Sequence, residues 1–180
     1  PCWIFGLYFS ELANLADFAH QKNVLNFGDS LFTYYTGQWI LGPYDPTTTT
    51  ILIHPIAKAG WVGLLVTAIN LFPFGQLDGG HIVYSLFGEG YRKWIYYLFF
   101  AFIFLGFVSI TWVIWGFIIY YLIKVEHPYV PDADVELGIG RKLLGYFMLI
   151  SLVLIFIPVP LSSGETMLIE DIWNYLQKSF

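Results

Sequence analysis

The chain has 180 residues, of which 57% are hydrophobic, 21% aromatic and only 12% charged. Soluble domains usually carry about 25% charged residues, so this composition predicts an integral membrane protein. The net charge of −5, with eight scattered Lys and Arg residues, excludes a broad nucleic-acid surface, because binding phosphates needs clustered cations. The single cysteine, Cys2, excludes an internal disulfide and a cysteine-based metal cluster.

The first fifty residues are predicted to be the end of a truncated helix followed by a polar, interfacial segment. The chain opens with Pro1 and the apolar run WIFGLYF, which is far shorter than the ~20 residues of a membrane-spanning helix. We therefore interpret the start as a cut inside a helix. Residues 10–50 are polar, and their LFTYYTGQWIL stretch favours a short amphipathic helix along the membrane surface.

Apolar sequence dominates residues 51–160, which we predict to be the transmembrane domain. The run AKAGWVGLLVTAIN predicts a helix that Pro73 and Gly75 break, and DGGHIVYSLFG predicts a second short helix. Residues 91–123 would measure on the order of 50 Å as one helix, too long for an untilted span. Two short helices turning near Gly106 to Thr111 are the favoured interpretation, and one long tilted helix is the alternative.

The last part of the chain alternates polar and apolar sequence. KVEHPYVPDADVELGIG is predicted to lie in water, RKLLGYFMLISLVLIFIPVP to form a last span, and residues 161–180 to form a solvated tail. The predicted fold is thus all-α, a polytopic transmembrane helical bundle with one broken helix. The chain is predicted to be an integral, multi-pass membrane protein.

The break itself, NLFPFGQLDGGH at residues 70–81, is the most informative stretch. A carboxylate such as Asp78 costs about 2.5–3.5 kcal/mol inside a bilayer, so a metal ion, a basic partner, a helix N-terminus or protonation must compensate it. The structural alternative makes Asp78 a helix N-cap. Irregular backbone at this depth predicts a cavity lined by Gln76, where an extended peptide could pair with free backbone groups.

Other polar side chains near the break have two readings each. Asn70 either donates to a carbonyl or caps the end of the preceding helix. His81 lies three residues after Asp78 on the same helical face, as a second metal ligand or, by preference, a packing histidine. The remaining histidines are predicted to be weak ligand candidates in loops: His20, His54 and His127.

The run from Asn70 to Gly80 resembles the N-x-x-P-x-x-x-L-D-G motif of the site-2 proteases, which are intramembrane zinc metalloproteases. The resemblance to bacterial and plastid members extends over roughly residues 50–160, including AGWVGLLVTA and the two His-Pro pairs. It implies that Asp78 is a zinc ligand, that Asn70 holds the substrate backbone or stabilises the oxyanion, and that Pro73 keeps the helix unwound.

The family's H-E-x-x-H motif, which supplies two zinc-binding histidines and a general base, does not occur in these 180 residues. In the family this motif precedes the Asp motif, so we expect zinc to be shared with two histidines outside this chain, and this chain alone to be inactive. The implied partners are membrane-protein substrates and the lipid bilayer, in a bacterial inner membrane or a plastid membrane. Two alternatives stay open: an ion- or proton-coupled transporter with Asp78 in a broken helix, and a non-catalytic pseudoprotease.

Overall fold

A computed structural model describes residues 1–14, 26–45, 48–128 and 137–162. His20, the predicted acidic loop at 129–136 and the predicted tail from residue 163 onward lie outside these ranges.

The described residues include seven α-helices and four short strands. The helices are α1 (Cys2–Leu7), α2 (Leu31–Leu41), α3 (Pro55–Asn70), α4 (Asp78–Phe87), α5 (Arg92–Ile103), α6 (Ile110–Ile118) and α7 (Ile139–Ile155). Short 3₁₀ segments cover Gly88–Tyr91 and Phe104–Phe107, and a π-helical turn covers Ile119–Ile123. The strands are β1 (Glu11–Asn14), β2 (Asn26–Phe27), β3 (Thr49–Leu52) and β4 (Leu161–Ser162), with β1 antiparallel to β3 and β2 antiparallel to β4.

The predicted polytopic transmembrane bundle is wrong. Its premise was the apolar composition, but the two longest α-helices that the structure describes, α7 and α3, have 17 and 16 residues, against about 20 for a span. In the described ranges, no helix combines the length and apolarity that crossing a membrane requires. The apolar runs are divided by helix-breaking sequence, and the four strands make the fold mostly helical rather than all-α.

Residues 92–118 illustrate this division. The 3₁₀ segment Phe104–Phe107 follows α5, and Ser109 then takes an extended conformation (φ −152°, ψ 134°), its hydroxyl accepting a 3.4 Å hydrogen bond from the Thr111 amide. A serine with this geometry is a favourable N-cap, so α6 begins directly after it. The prediction of two short helices separated near Gly106 to Thr111 is confirmed.

One compact unit of the chain comprises Pro1–Thr67 and Leu154–Thr166. Its core is a cluster of buried side chains, each at most 3% exposed: Trp3, Leu7, Ala57, Trp61 and Ile157. Both indoles also find polar partners, because Trp3 Nε1 donates to Thr36 Oγ1 at 2.8 Å and Trp61 Nε1 donates to the Gly28 carbonyl at 2.7 Å. The predicted helix LFTYYTGQWIL forms α2, which Ser30 caps.

The other unit comprises Ala68–Val153 and Met167–Phe180 and contains the break between α3 and α4. An aromatic cluster packs around the break, with ring centroids 5.0–5.8 Å apart in edge-to-face pairs: Phe72, Phe74, Phe99, Phe102 and Trp112. Phe72 and Phe74 flank Pro73, and their partners lie on α5 and α6. The broken segment is therefore held by packing against two helices.

Candidate functional site

The break between Asn70 and Asp78 is an ordered turn. Asn70 is the last residue of α3 and Asp78 is the first of α4. Inside the turn the Phe74 amide donates to the Phe72 carbonyl at 2.8 Å, and the Leu77 amide donates to the Phe74 carbonyl at 3.1 Å. The predicted interruption at this place is what the structure contains, and local hydrogen bonds shape it.

Glycine at two motif positions lets the turn close on itself. A Cβ built on Gly79 would lie 1.9 Å from the Leu71 carbonyl oxygen, and one built on Gly80 would lie 2.5 Å from the Gly75 carbonyl oxygen. Leu71 directly follows Asn70, and Gly79 directly follows Asp78. The turn therefore brings together the backbone segments that follow the two predicted site residues, Asn70 and Asp78.

A third glycine joins the turn to the segment after the π-helical turn. Gly75 has φ 49°, and its amide donates to the Val125 carbonyl at 3.0 Å. A Cβ there would lie 2.0 Å from the Lys124 carbonyl oxygen, so only glycine allows this approach. The Gly75 amide is therefore hydrogen-bonded within the chain. It is not one of the free backbone groups that the sequence predicted for pairing with an extended peptide.

The predicted site residues differ in exposure. Asn70 and Asp78 are exposed, and Pro73 is half-buried. The N-cap position of α4 is Leu77, and no side-chain capping hydrogen bond is made there. Asp78 is therefore not the N-cap that the structural alternative required, and this chain does not bury its carboxylate as the sequence suggested. The burial cost of a charge consequently gives no support to a metal at this point.

A cleft of about 470 Å³ opens beside the turn, and the predicted cavity residue Gln76 lines it. Arg92 and Lys124 contribute positive charge to its lining, and Glu126 contributes negative charge. Lys124 has φ 66°, an unusual value for a residue with a side chain. The cleft is polar and carries charges of both signs.

Beside the turn lies a histidine pair that sequence reasoning missed. His127 Nε2 lies 2.5 Å from His81 Nδ1, and His127 Nδ1 lies 2.7 Å from the Pro128 carbonyl oxygen. His127 is 5% exposed and His81 is exposed. His127 lies in a loop, as predicted, but its burial and its contact with one ring nitrogen of His81 were not predicted.

Aromatic and charged side chains fix His127 in place. The Tyr84 ring stacks on it with centroids 4.5 Å apart and an interplanar angle of 11°. The His127 amide donates to the Tyr91 hydroxyl, and Arg92 donates to the His127 carbonyl at 3.4 Å. Glu89 ties the frame together, because it accepts from the Tyr84 hydroxyl at 2.9 Å and pairs with Arg92 Nε at 3.0 Å.

Burial shifts the pKa values of His127 and Tyr91. Burial lowers the pKa of His127, and the nearby His81 and Arg92 lower it further, although the Pro128 carbonyl and Glu89 act in the opposite direction. Burial likewise raises the pKa of Tyr91. His127 and the Tyr91 hydroxyl are therefore both neutral near pH 7.

His54 is not part of this cluster. Its amide donates to the Ser10 hydroxyl at 3.0 Å, and its ring lies 5.6 Å from that of Phe9. Its Nδ1 accepts from the Ile56 amide at 3.3 Å, at the start of α3. His54 thus has local roles at a helix start.

The sequence matches the family model described as Peptidase family M50 over residues 15–110, more than half of the chain. The chain belongs to this family, the site-2 proteases. The resemblance that the Asn70-to-Gly80 motif indicated is confirmed.

Curated relatives agree with this assignment. The chain is 32% identical over 159 residues to the probable zinc metalloprotease EGY1, chloroplastic, of Arabidopsis thaliana, covering 86% of this chain and 28% of that protein. It is 40% identical over 63 residues to the EGY1 protein of Oryza sativa subsp. japonica, covering 35% of this chain and 11% of that protein. The DDT domain-containing protein PTM of Arabidopsis thaliana is 37% identical over 84 residues, or 47% of this chain and 5% of that protein. No solved structure matches.

The names of the two EGY1 relatives imply zinc. A catalytic zinc ion has three protein ligands. Within the described ranges, no three His, Cys, Asp or Glu side chains come together in a way that could hold a metal ion. This part of the chain does not fit a complete zinc site, and Asp78 is a single exposed carboxylate.

Proposed function

We propose that this chain is part of a zinc metalloprotease that hydrolyses peptide bonds in or near the membrane-spanning segments of other proteins. The turn from Asn70 to Asp78 carries the proposal. It carries the family motif, and its backbone draws together the residues that follow Asn70 and Asp78. The chain spans 28% of the length of its EGY1 relative, so the activity belongs to a longer polypeptide.

Each motif residue has a role in this proposal. Asp78 is the one zinc ligand from this chain, and two histidines outside it complete the set. Two observations on Asp78 support this: its side chain is exposed, and α4 begins without a side-chain capping bond. Asn70 holds the substrate backbone or the oxyanion through its exposed amide, and Pro73 keeps the segment between two phenylalanines from continuing α3.

The substrates in this proposal are membrane proteins, and the protein works beside a lipid bilayer in a plastid. The names of the EGY relatives, which are chloroplastic zinc metalloproteases, support the compartment. Large exposed apolar side chains support contact with lipid, for example Trp94 (72% exposed), Phe100 (64%) and Phe104 (66%). Such a density of exposed aromatic groups is unfavourable in water and favours a surface that lipid covers.

The test compares Asp78→Asn with wild type in the full-length protein. We expect wild type to contain zinc and to cleave a membrane-spanning test peptide in detergent micelles. The variant should lose zinc and slow cleavage by on the order of 100-fold or more, because the ion loses a ligand. In the absence of zinc, the variant and wild type should have the same thermal unfolding midpoint, since Asp78 is exposed and caps nothing.

Glu11→Gln is the matched control, because Glu11 is another exposed carboxylate and lies far along the sequence in β1. It should change neither zinc content nor cleavage. A full-length wild-type protein that binds no zinc and cleaves nothing would reject the proposal in favour of the non-catalytic homologue. That alternative has one observation behind it: the PTM relative is not named as a protease.

A further inference from the structure

The hydrogen bonds of His127 determine which nitrogen of His81 carries the proton. His127 Nδ1 faces the Pro128 carbonyl oxygen at 2.7 Å, and a carbonyl only accepts, so this nitrogen carries the proton. In a neutral imidazole the other nitrogen, Nε2, is then an acceptor. His127 Nε2 lies 2.5 Å from His81 Nδ1, so His81 Nδ1 must be the donor of this hydrogen bond. In the neutral form of His81, Nε2 is then left with a lone pair.

The surroundings of His127 keep this arrangement in one state. Its ring is stacked on Tyr84, and its backbone is bonded on both sides, by the Tyr91 hydroxyl and by Arg92. Burial disfavours a second proton on His127, so its Nε2 stays an acceptor near neutral pH. His127 is therefore fixed in one ring orientation, and it holds His81 in one tautomer.

His81 lies in the first turn of α4, directly after the proposed catalytic turn. His81 is the fourth residue of α4 and Asp78 is the first, which places both on one helical face. His81 is exposed, and no residue that the structure describes makes a hydrogen bond to its Nε2. Exposed Asn70, whose neighbour Leu71 lies against Gly79, offers an amide donor from the other side of the turn. A peptide group presents one carbonyl acceptor and one N–H donor, so it can bind the Asn70 amide and His81 Nε2 together.

We propose that His81 is a substrate-binding residue of the protease, whose Nε2 accepts a hydrogen bond from a backbone N–H of the peptide substrate. His127 is the positioning residue that sets the tautomer of His81. Asn70 and His81 then bind complementary groups of one extended peptide beside Asp78. The proposal rests on the proposed function, because it needs a peptide substrate at this turn.

The tautomer can be tested without any activity. In the full-length protein with ¹⁵N-labelled histidines, we expect nitrogen chemical shifts near pH 7.5 to identify His81 as the Nδ1–H form, opposite to the usual preference of free histidine. His127→Asn keeps a donor towards Pro128 but lacks an acceptor at the Nε2 position, so His81 should return to the Nε2–H form. His127→Gln places an amide oxygen there and should restore the Nδ1–H form.

A matched control and a clear negative accompany this experiment. His54→Asn should leave the His81 signals unchanged, because His54 makes its contacts with Ser10 and Phe9. An Nε2–H form of His81 in the wild-type protein would overturn the assignment. So would signals of His81 that do not respond to His127→Asn while circular dichroism shows that this variant is folded.

Peptide cleavage tests the role of the lone pair. His81→Asn retains a donor at the Nδ1 position and so keeps the bond to His127, but it lacks Nε2. We expect kcat/KM to fall about tenfold, the usual effect of one lost hydrogen bond. His81→Gln loses the bond to His127 but places an amide oxygen near the Nε2 position, and it should recover part of the loss.

The two variants separate substrate binding from a merely structural role. If His81 only fastens α4 to His127, His81→Asn will cleave normally and His81→Gln will be the damaged variant, which overturns the proposal. A wild-type protein that cleaves no peptide rejects the proposed function and, with it, the role of His81 in binding. The ¹⁵N result still decides the tautomer in that case, so the two failures are distinguishable.

Discussion

Gly79 lies so close to Leu71 that a Cβ on the glycine would be 1.9 Å from the leucine carbonyl oxygen. Backbone packs directly on backbone at this point, where α4 begins against the start of the turn that follows α3. The second residue of the Asp-Gly pair in the motif is thus required by the space available. It is this contact that sets the separation of the segments bearing Asn70 and Asp78.

Substituting Gly79 with alanine should therefore destabilise the chain. The carbonyl of Leu71 has no flexible end that can move aside, so the turn must open, at a cost of about 1–3 kcal/mol. The midpoint of urea unfolding measures this. Gly90→Ala is the control, because nothing lies within 4 Å of a Cβ at Gly90, and equal midpoints for both variants would contradict the packing described.

The buried indole of Trp61 provides a test of the core of the first unit. Trp61 is 2% exposed, its Nε1 donates to the Gly28 carbonyl at 2.7 Å, and its ring lies edge-to-face on Phe27 at 4.9 Å. Trp61→Phe removes the donor and leaves a gap, so we expect the free energy of unfolding to fall by about 1–3 kcal/mol. Trp39→Phe, at a position that is 79% exposed, should change it by less than about 0.5 kcal/mol.

Local features of this structure could be predicted from the sequence. Pro73 and Gly75 predicted the interruption between Asn70 and Asp78, and the segment from Gly106 to Thr111 predicted the division of the aromatic stretch. Each of these is decided by backbone chemistry over a few residues: proline lacks an amide hydrogen, glycine permits positive φ, and serine caps a helix. The motif gave the family in the same local way.

Relations between distant residues could not be predicted. His81 and His127 are separated by 46 positions, and β1 pairs with β3 across a long intervening segment. A hydrophobic pattern contains no information on which two remote segments meet. Composition was misleading for a related reason: a large apolar fraction predicts spanning helices only if the apolar runs are unbroken, and here turns such as the one before Ser109 divide them.

Lys124 has the backbone conformation of a glycine. Its φ of 66° and ψ of 150° lie in a region that side-chain-bearing residues avoid, at a cost of about 1–3 kcal/mol. Lys124→Gly should raise the free energy of unfolding by about 1 kcal/mol once the greater freedom of glycine in the unfolded chain is subtracted. Lys124→Ala removes the same side chain but keeps the strain, so a thermal midpoint as high as that of the glycine variant would contradict this explanation.

Stability should fall in acid because of His127. Its pKa is lowered in the folded chain by burial, with His81 and Arg92 acting in the same direction and the Pro128 carbonyl and Glu89 opposing them. Below about pH 6.5, the ordinary histidine pKa, the unfolded chain takes up a proton that the folded chain resists. The stabilisation is therefore complete above this pH and is lost as the pH falls through the lowered pKa, by at most about 1.4 kcal/mol for each pH unit. Urea midpoints measured between pH 5 and pH 8 report it. His127→Gln cannot take up this proton and should flatten the dependence, whereas His54→Gln should preserve it; a wild-type profile that is flat over this range would show that His127 does not resist protonation in the folded chain.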